Sequence, residues 1–307
     1  MKRFHRRVFA LVPAVGVLAG ITGIALAGLV PLSASPPQPF RTPLACQPVD
    51  GLPPLLLPGS VLLLGELHGT AESPAFTGNA VCLALAARLP VTVGLEIWRE
   101  EEARIAAFLG SPGAAADRAA LFASPFWRDS YQDGRRSEAM AALLENLRRF
   151  RHDGWPVRVT LLDRQVNGSG QERDRALAER LRGIVAAAPT DLVITLTGNL
   201  HPRLAKGVPW DKSYENMGFL FTQAAPGVKA TALDVRTTGG TAWYCQQASG
   251  ADNGCKIWPV KGSPGTGTAK VVVHPGIDGD GFSGVYEIGR TTASRPAVPT
   301  PFSPGRG

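Results

Sequence analysis

The sequence predicts an α/β fold, a mainly parallel sheet with helices on both faces. Two observations predict it. Short apolar runs recur at 61–64, 91–96, 157–163 and 191–199, with a weaker one at 229–235. Segments with apolar residues at helical spacing separate them. Runs of four to eight apolar residues read as strands buried on both faces, the habit of parallel sheets. Strands alternating with helices give a parallel sheet covered on both sides.

The chain opens with the basic segment MKRFHRR, and the uncharged run VFALVPAVGVLAGITGIALAG follows. Ala25-Leu26-Ala27 has the small-residue spacing of a cleavage site. Two readings stay open for residues 1–27, a cleaved signal peptide or a retained membrane anchor. Either sends the remainder to an oxidising compartment, periplasmic or secreted. Residues 28–58 are Pro-rich and read as a linker. Residues 59–289 then form the α/β domain, and 290–307 read as a disordered tail.

Within the domain the first strand, Val61-Leu62-Leu63-Leu64, lies between Gly59 and Gly65. Residues 74–88 follow as a helix with Pro74 in its first turn. The strand VTVGLE leads to a helix over 99–109 with acidic residues at its start. Residues 137–151 place Met140, Leu143, Leu144, Leu147 and Phe150 on one face. The strand VRVTLLD precedes a helix over 171–187, and DLVITLTGN comes next. After residue 239, short strand-like pieces at 241–245, 269–274 and 284–288 predict an antiparallel edge or a small appended β element.

Composition narrows the function. Hydrophobic residues make up 44% of the chain and charged residues 19%, enough apolar material for a core and too little charge for a disordered polyelectrolyte. The net charge is +7, with Lys2, Arg3, Arg6 and Arg7 contributing four of those charges. The dispersed remainder, with no nucleic-acid-binding motif, predicts no nucleic-acid partner. Four cysteines in an exported chain read as disulfides. Cys245 and Cys255 flank a short polar loop and suit a local bridge, leaving Cys46 with Cys82. Asp278-Gly279-Asp280-Gly281 lacks the remaining ligands of a calcium loop and reads as a turn.

The strand ends carry the chemistry. One run leads into Glu66-Leu67-His68, the next into Glu96, the third into Asp163, and the fourth into Asn199-Leu200-His201. Ligands of open α/β sheets bind outside the carboxyl ends of the strands, where four parallel strands would bring these groups together. Gly65–His68 and Gly198–His201 are both G-x-x-H, a spacing that lets the chain turn off the strand and the imidazole swing back. Carboxylates and imidazoles in one place activate water, bind a metal, or both. Each such residue alone also has a purely structural reading, as a cap or a loop anchor.

GELHGTAESP, the strand-ending Glu96, QERDRALAERL and TGNLHPR together resemble the Tiki/TraB, ChaN-like and erythromycin-esterase superfamily, over about residues 61–204. The resemblance matches Glu66 and His68 to the first motif and Glu96 to the second. It matches Arg173 and Asp174 to the third and His201 to the last. It implies a hydrolase of ester or amide bonds acting on a small-molecule or peptide substrate. Glu66, His68, Glu96, His201 and Arg173 would be catalytic, and Asn199, Asp163 and Trp98 would bind substrate. A divalent metal on His68, His201 and Glu66 is one implied cofactor, and haem on a histidine, without turnover, is the alternative. On this reading Glu66 or Glu96 acts as general base, its pKa raised by burial or by the other carboxylate. The chain departs from the family in two ways. No Cys directly follows the apolar run, and only one residue separates Glu66 from His68.

Overall fold

The parallel strands form because their residues are apolar on both sides and each side finds a helix. In this computed structural model, residues 42–165, 169–246, 254–265 and 267–298 are described. The expected signal peptide or anchor lies outside them. Five parallel strands are β1 (Val61–Glu66), β2 (Val91–Trp98), β3 (Val157–Asp163), β4 (Leu192–Gly198) and β5 (Ala230–Arg236). They stand in the order β3-β2-β4-β1-β5. Every pair among them is parallel.

Side chains alternate between the two faces, as the strand period requires. Leu62 and Leu64 of β1, Ile194 and Leu196 of β4, and Val93 and Leu95 of β2 enter one core. There they meet α1 (Glu72–Ala86), α2 (Glu102–Leu109) and α4 (Glu138–His152) through Leu85, Ile105 and Leu144. Val61, Leu63 and Val193 enter the other core. Its helices are α5 (Gly170–Ala187) and α6 (Met217–Ala224), which bring Leu177, Leu181 and Phe221. A short helix, α3 (Ala115–Phe122), follows α2 and buries only Leu121. Two starts are capped as their sequence suggests. Ser137 accepts the Met140 N–H at the head of α4, and Ser169 and Glu172 form a capping box at the head of α5.

Both C-terminal expectations are met. Strand β9 (Gly284–Glu287) runs parallel beside β5, and β8 (Lys270–Val273) pairs antiparallel with β9 as the edge of a seven-stranded sheet. Separately, β6 (Gly240–Cys245) and β7 (Cys255–Val260) form a two-stranded antiparallel sheet. Cys245 is bonded to Cys255 at its end, and Cys46 to Cys82. Asp278 accepts the N–H groups of Asp280 and Phe282, so the acidic Gly-rich loop is a turn.

Two boundaries are corrected. Residues 42–58, expected as linker, lie on the core: Leu52 and Val49 are buried, and Cys46 is tied to α1 through Cys82. Residues 290–298, expected in the disordered tail, also pack. Thr291 and Ser294 are buried, and bridges join Thr70 to Ala293 and Ser137 to Pro296. Proline-rich composition hid both segments, because single apolar residues between prolines carry no period. Among the described residues, no helix is long and apolar enough to cross a membrane.

The Cys46–Cys82 bridge closes a sequence separation of 36 residues. Replacing both cysteines by serine should lower unfolding stability by about 2–5 kcal/mol in urea titration. An unchanged midpoint would show that the segment before β1 holds without the bridge.

Candidate active site

The sheet order decides which strand ends meet. At the carboxyl edge, Asp163 of β3, Glu96 of β2, Gly198 of β4 and Glu66 of β1 follow one another across adjacent strands. Glu96 leaves its strand at an irregularity. The β2–β3 register is regular to Leu95–Leu161 and resumes at Trp98–Asp163, so Glu96 and Ile97 face Leu162 alone. Such a bulge bends the strand and re-aims its side chains.

Glu96 is 3% exposed and lies at the centre. Its Oε2 accepts the Gly198 N–H at 2.6 Å and stands 3.6 Å from His68 Nε2. Its Oε1 accepts from Arg135 at 3.3 Å and from Arg173, and stands 3.8 Å from His201 Nε2. Burial pushes the Glu96 pKa up, but the charges of Arg173 and His68 outweigh it and hold it well below the usual carboxylate range. The expected role of Glu96 as a base with a raised pKa is therefore corrected, since its partners are cations rather than another carboxylate.

His68 is the acidic partner. Its Nδ1 lies 2.8 Å from Glu66 Oε1. Burial lowers its pKa, yet Glu96 and Glu66 outweigh that and raise it to about 10. At neutral pH it is an imidazolium, with one N–H directed at each glutamate.

His201 is held differently. Its Nδ1 is 2.9 Å from Asp174 Oδ1, and its Nε2 is 3.1 Å from Arg173 Nη1. A guanidinium only donates, so Nε2 accepts and Nδ1–H donates, which makes this ring the neutral tautomer. Asp174 also accepts the Tyr214 hydroxyl at 2.5 Å and the Met217 N–H at 2.8 Å. Burial and that bond to Asp174 push the Tyr214 pKa up, so the hydroxyl stays protonated and donates.

Two arginines tie the site together. Arg173 donates to Asp163 through Nε at 3.0 Å and Nη2 at 2.7 Å. Arg135 donates to Asp163 at 2.9 Å and to Asp133 at 2.9 and 2.7 Å. Burial lowers both guanidinium pKa values, but Glu96 and the aspartates raise them further, so both stay charged.

The G-x-x-H glycines act by size. Neither Gly65 nor Gly198 has a positive φ, which corrects the expected sharp turn. A Cβ on Gly198 would lie 2.9 Å from His68 Nε2, and one on Gly65 would lie 3.0 Å from the Asn199 Cα. The turn itself is made by Gly69, at φ 73°.

A cleft of about 340 Å³ opens over these groups, lined by Glu66, His68, Glu96, Arg135, Arg173, Asn199 and His201. Two expected substrate contacts do not line it. Trp98 packs edge-on against Phe126 under the Arg136 guanidinium, and Asp163 sits behind the two arginines it binds. Asn199 does line the cleft and hydrogen-bonds Asp234, whose pKa burial pushes up to about 6. Sequence reasoning missed Arg135, Asp133, Tyr131, Tyr214 and Tyr244. The first three lie in the loop before α4, where only the turn dipeptide Asp133-Gly134 gave a signal.

The residues do not fit a divalent metal. The cleft-facing nitrogen of His68 carries a proton, that of His201 accepts from Arg173, and two guanidiniums already occupy Glu96. Among the described residues, no group of three or more His, Cys, Asp or Glu side chains could hold a metal ion.

No family model matches the chain. No curated protein matches it by sequence either. The solved structures similar to this chain include three with a TM-score above 0.5. An erythromycin esterase variant in its open conformation has a TM-score of 0.52 at 13% identity, covering 68% of this chain and 78% of that one. A protein from Bacillus cereus has a TM-score of 0.51 at 10% identity, covering 80% and 93%. A succinoglycan biosynthesis protein has a TM-score of 0.51 at 9% identity, covering 81% and 93%. This chain therefore shares its α/β fold with these three structures, one of them an erythromycin esterase. At these identities the likeness is one of fold.

The Gly198→Ala variant tests the contact at the centre. It should fold with a melting temperature near wild type, because the crowded neighbour is a side-chain tip that can move. His68 should be displaced from Glu96, and its titration midpoint by NMR should fall below about 10. A midpoint that stays there would show that the ring does not need the space.

Proposed function

We propose that this protein hydrolyses ester or amide bonds, with water as nucleophile and without a metal. One observation carries the reading. Two imidazoles in different protonation states face opposite oxygens of one buried carboxylate, at 3.6 and 3.8 Å, on the floor of a cleft. One ring held protonated and the other presenting a lone pair supply an acid and a base side by side.

His201 is the base. Asp174 takes its Nδ1–H, as the third member of a triad orients its imidazole, and Nε2 keeps its lone pair toward the cleft. Water replaces the Arg173 N–H at that nitrogen when substrate enters. His68 is the acid, delivering its Nε2 proton to the departing oxygen or nitrogen while Glu66 steadies the ring. Glu96 stays ionised throughout and aligns both rings. Arg173 and Arg135 neutralise Glu96 and Asp163, so the carboxylates persist in a buried place. Export to an oxidising compartment is supported by the two disulfides.

Haem ligation without turnover is the competing reading from the sequence. It requires an uncharged imidazole nitrogen toward the cleft; the His68 nitrogen carries a proton, and the His201 nitrogen would have to exchange its Arg173 hydrogen bond for the iron. His68→Ala and His201→Ala should each lower kcat/KM on a test ester by about 10²–10⁴-fold, with melting little changed. Activity should be lost as pH rises through about 10, where His68 gives up its proton. Glu66→Gln should move that alkaline limb to lower pH, because Glu66 helps to raise the His68 pKa. Full activity in both histidine variants, or a Soret band on haemin titration that His68→Ala abolishes, would contradict the proposal.

A further inference from the structure

The charges of the cleft are already matched, and its mouth is aromatic. Each nitrogen of the Arg173 guanidinium donates to a protein acceptor, Asp163, His201 or Glu96. Each nitrogen of Arg135 donates to Asp133, Glu96 or Asp163. The carboxylates are engaged as well, Glu66 by His68, Asp133 by Arg135, and Glu96 by three donors. An anionic substrate group would meet Glu66, Glu96 and Asp133, and the guanidinium nitrogen released from His201 on substrate entry belongs to a cation already paired with Glu96 and Asp163. A cationic group would find no unpaired carboxylate. Desolvating either without a partner is costly.

Of the remaining lining, Asn199 is polar and bonded to Asp234, and Leu67, Leu200, Tyr131 and Tyr244 are apolar or aromatic. Tyr131 is 56% exposed, one of the few large rings of the described chain left in solvent. Tyr244 is fixed from several sides. Trp258 packs beside its ring at 6.1 Å, and Gln246 donates to its hydroxyl at 3.1 Å. The next residue, Cys245, is bonded to Cys255. The preceding residue, Trp243, donates its backbone N–H to Gly69 and its indole N–H to Gln132, each at 2.9 Å. The small β6–β7 sheet thus grips the turn after His68 and the loop that carries Tyr131. It has the build of a wall placed against the site.

We infer that the substrate is an uncharged ester or amide bearing a flat aromatic ring, received at the mouth by Tyr131 and Tyr244. The inference rests on the hydrolase reading for the word substrate, but the ring contact is a binding property that stands apart from turnover. Aromatic faces attract one another beyond the area they bury. A ring at the mouth also leaves the scissile carbonyl pointing toward His68 and His201 on the floor.

The test uses 2-ethoxynaphthalene, an ether that cannot be hydrolysed, with its carboxylate counterpart 6-ethoxy-2-naphthoate, and calorimetric titration of the full chain. Wild type should bind the ether, and the carboxylate should bind at least about tenfold more weakly. Tyr131→Ala and Tyr244→Ala should each weaken the ether by about twofold to tenfold. Tyr244→Phe should bind as wild type, since the ring remains. Tyr131 is exposed, so its removal cannot unfold the core, and melting curves accompany Tyr244→Ala. Undiminished binding in both alanine variants, equal affinity for the carboxylate, or no binding of the ether at all would overturn the inference. Hydrolysis of 2-naphthyl acetate is measured on the same samples. Ether binding without any hydrolysis would contradict the hydrolase reading alone.

Discussion

A carboxylate buried at the end of a central strand sets the terms for everything around it. Glu96 cannot stay ionised beneath the protein surface unless nearly all of its lost hydration is replaced. The replacement comes from every direction. The Gly198 N–H arrives from β4, Arg173 from α5 and Arg135 from the loop before α4, while the His68 imidazolium closes another side. Each of these donors is itself buried or half-buried and needs a second acceptor. That brings in Asp163, Asp133 and Glu66, and Asp174 follows through His201, which accepts from Arg173 and donates to Asp174. The network is therefore a consequence of one desolvated charge, with sign alternating outward from it.

The fold makes that concentration geometrically natural. Placing β4 between β1 and β2 brings the two G-x-x-H segments onto adjacent strands with Glu96 on the third. The bulge turns Glu96 toward the Gly198 N–H. Gly198 then has to lack a side chain, because the His68 ring occupies the space. The three features work only together. An even register or a different strand order would separate the imidazoles from the carboxylate, and an alanine at 198 would push His68 away from it.

Much of this was legible in the sequence because it follows short-range rules. Two-faced apolar strands announce themselves by composition, and a polar residue that ends such a strand has few places to go. That logic found Glu66, His68, Glu96 and His201, and the motif around QERDRALAERL found Arg173. It could not find Arg135, which reaches the site from a loop whose path depends on Gly134 packing against the backbone at His68 and Gly69. It also misjudged Trp98. The bulge that re-aims Glu96 lies between Leu95 and Trp98, and the Trp98 ring goes to the Phe126 layer instead of the cleft. The protonation states were out of reach for the same reason. Proximity of Glu66 and Glu96 suggested a carboxylate with a raised pKa, but an imidazole lies between them and takes the proton.

The claim that Glu96 governs the proton on His68 is open to one direct measurement. Nitrogen-15 chemical shifts of the His68 and His201 rings, followed against pH in wild type and in Glu96→Gln, report which nitrogen is protonated and when. The account predicts a His68 midpoint near 10 in wild type that drops toward the ordinary histidine value of 6.5 in the variant. A His68 midpoint already near that ordinary value in wild type, or one that does not move when Glu96 loses its charge, would contradict it.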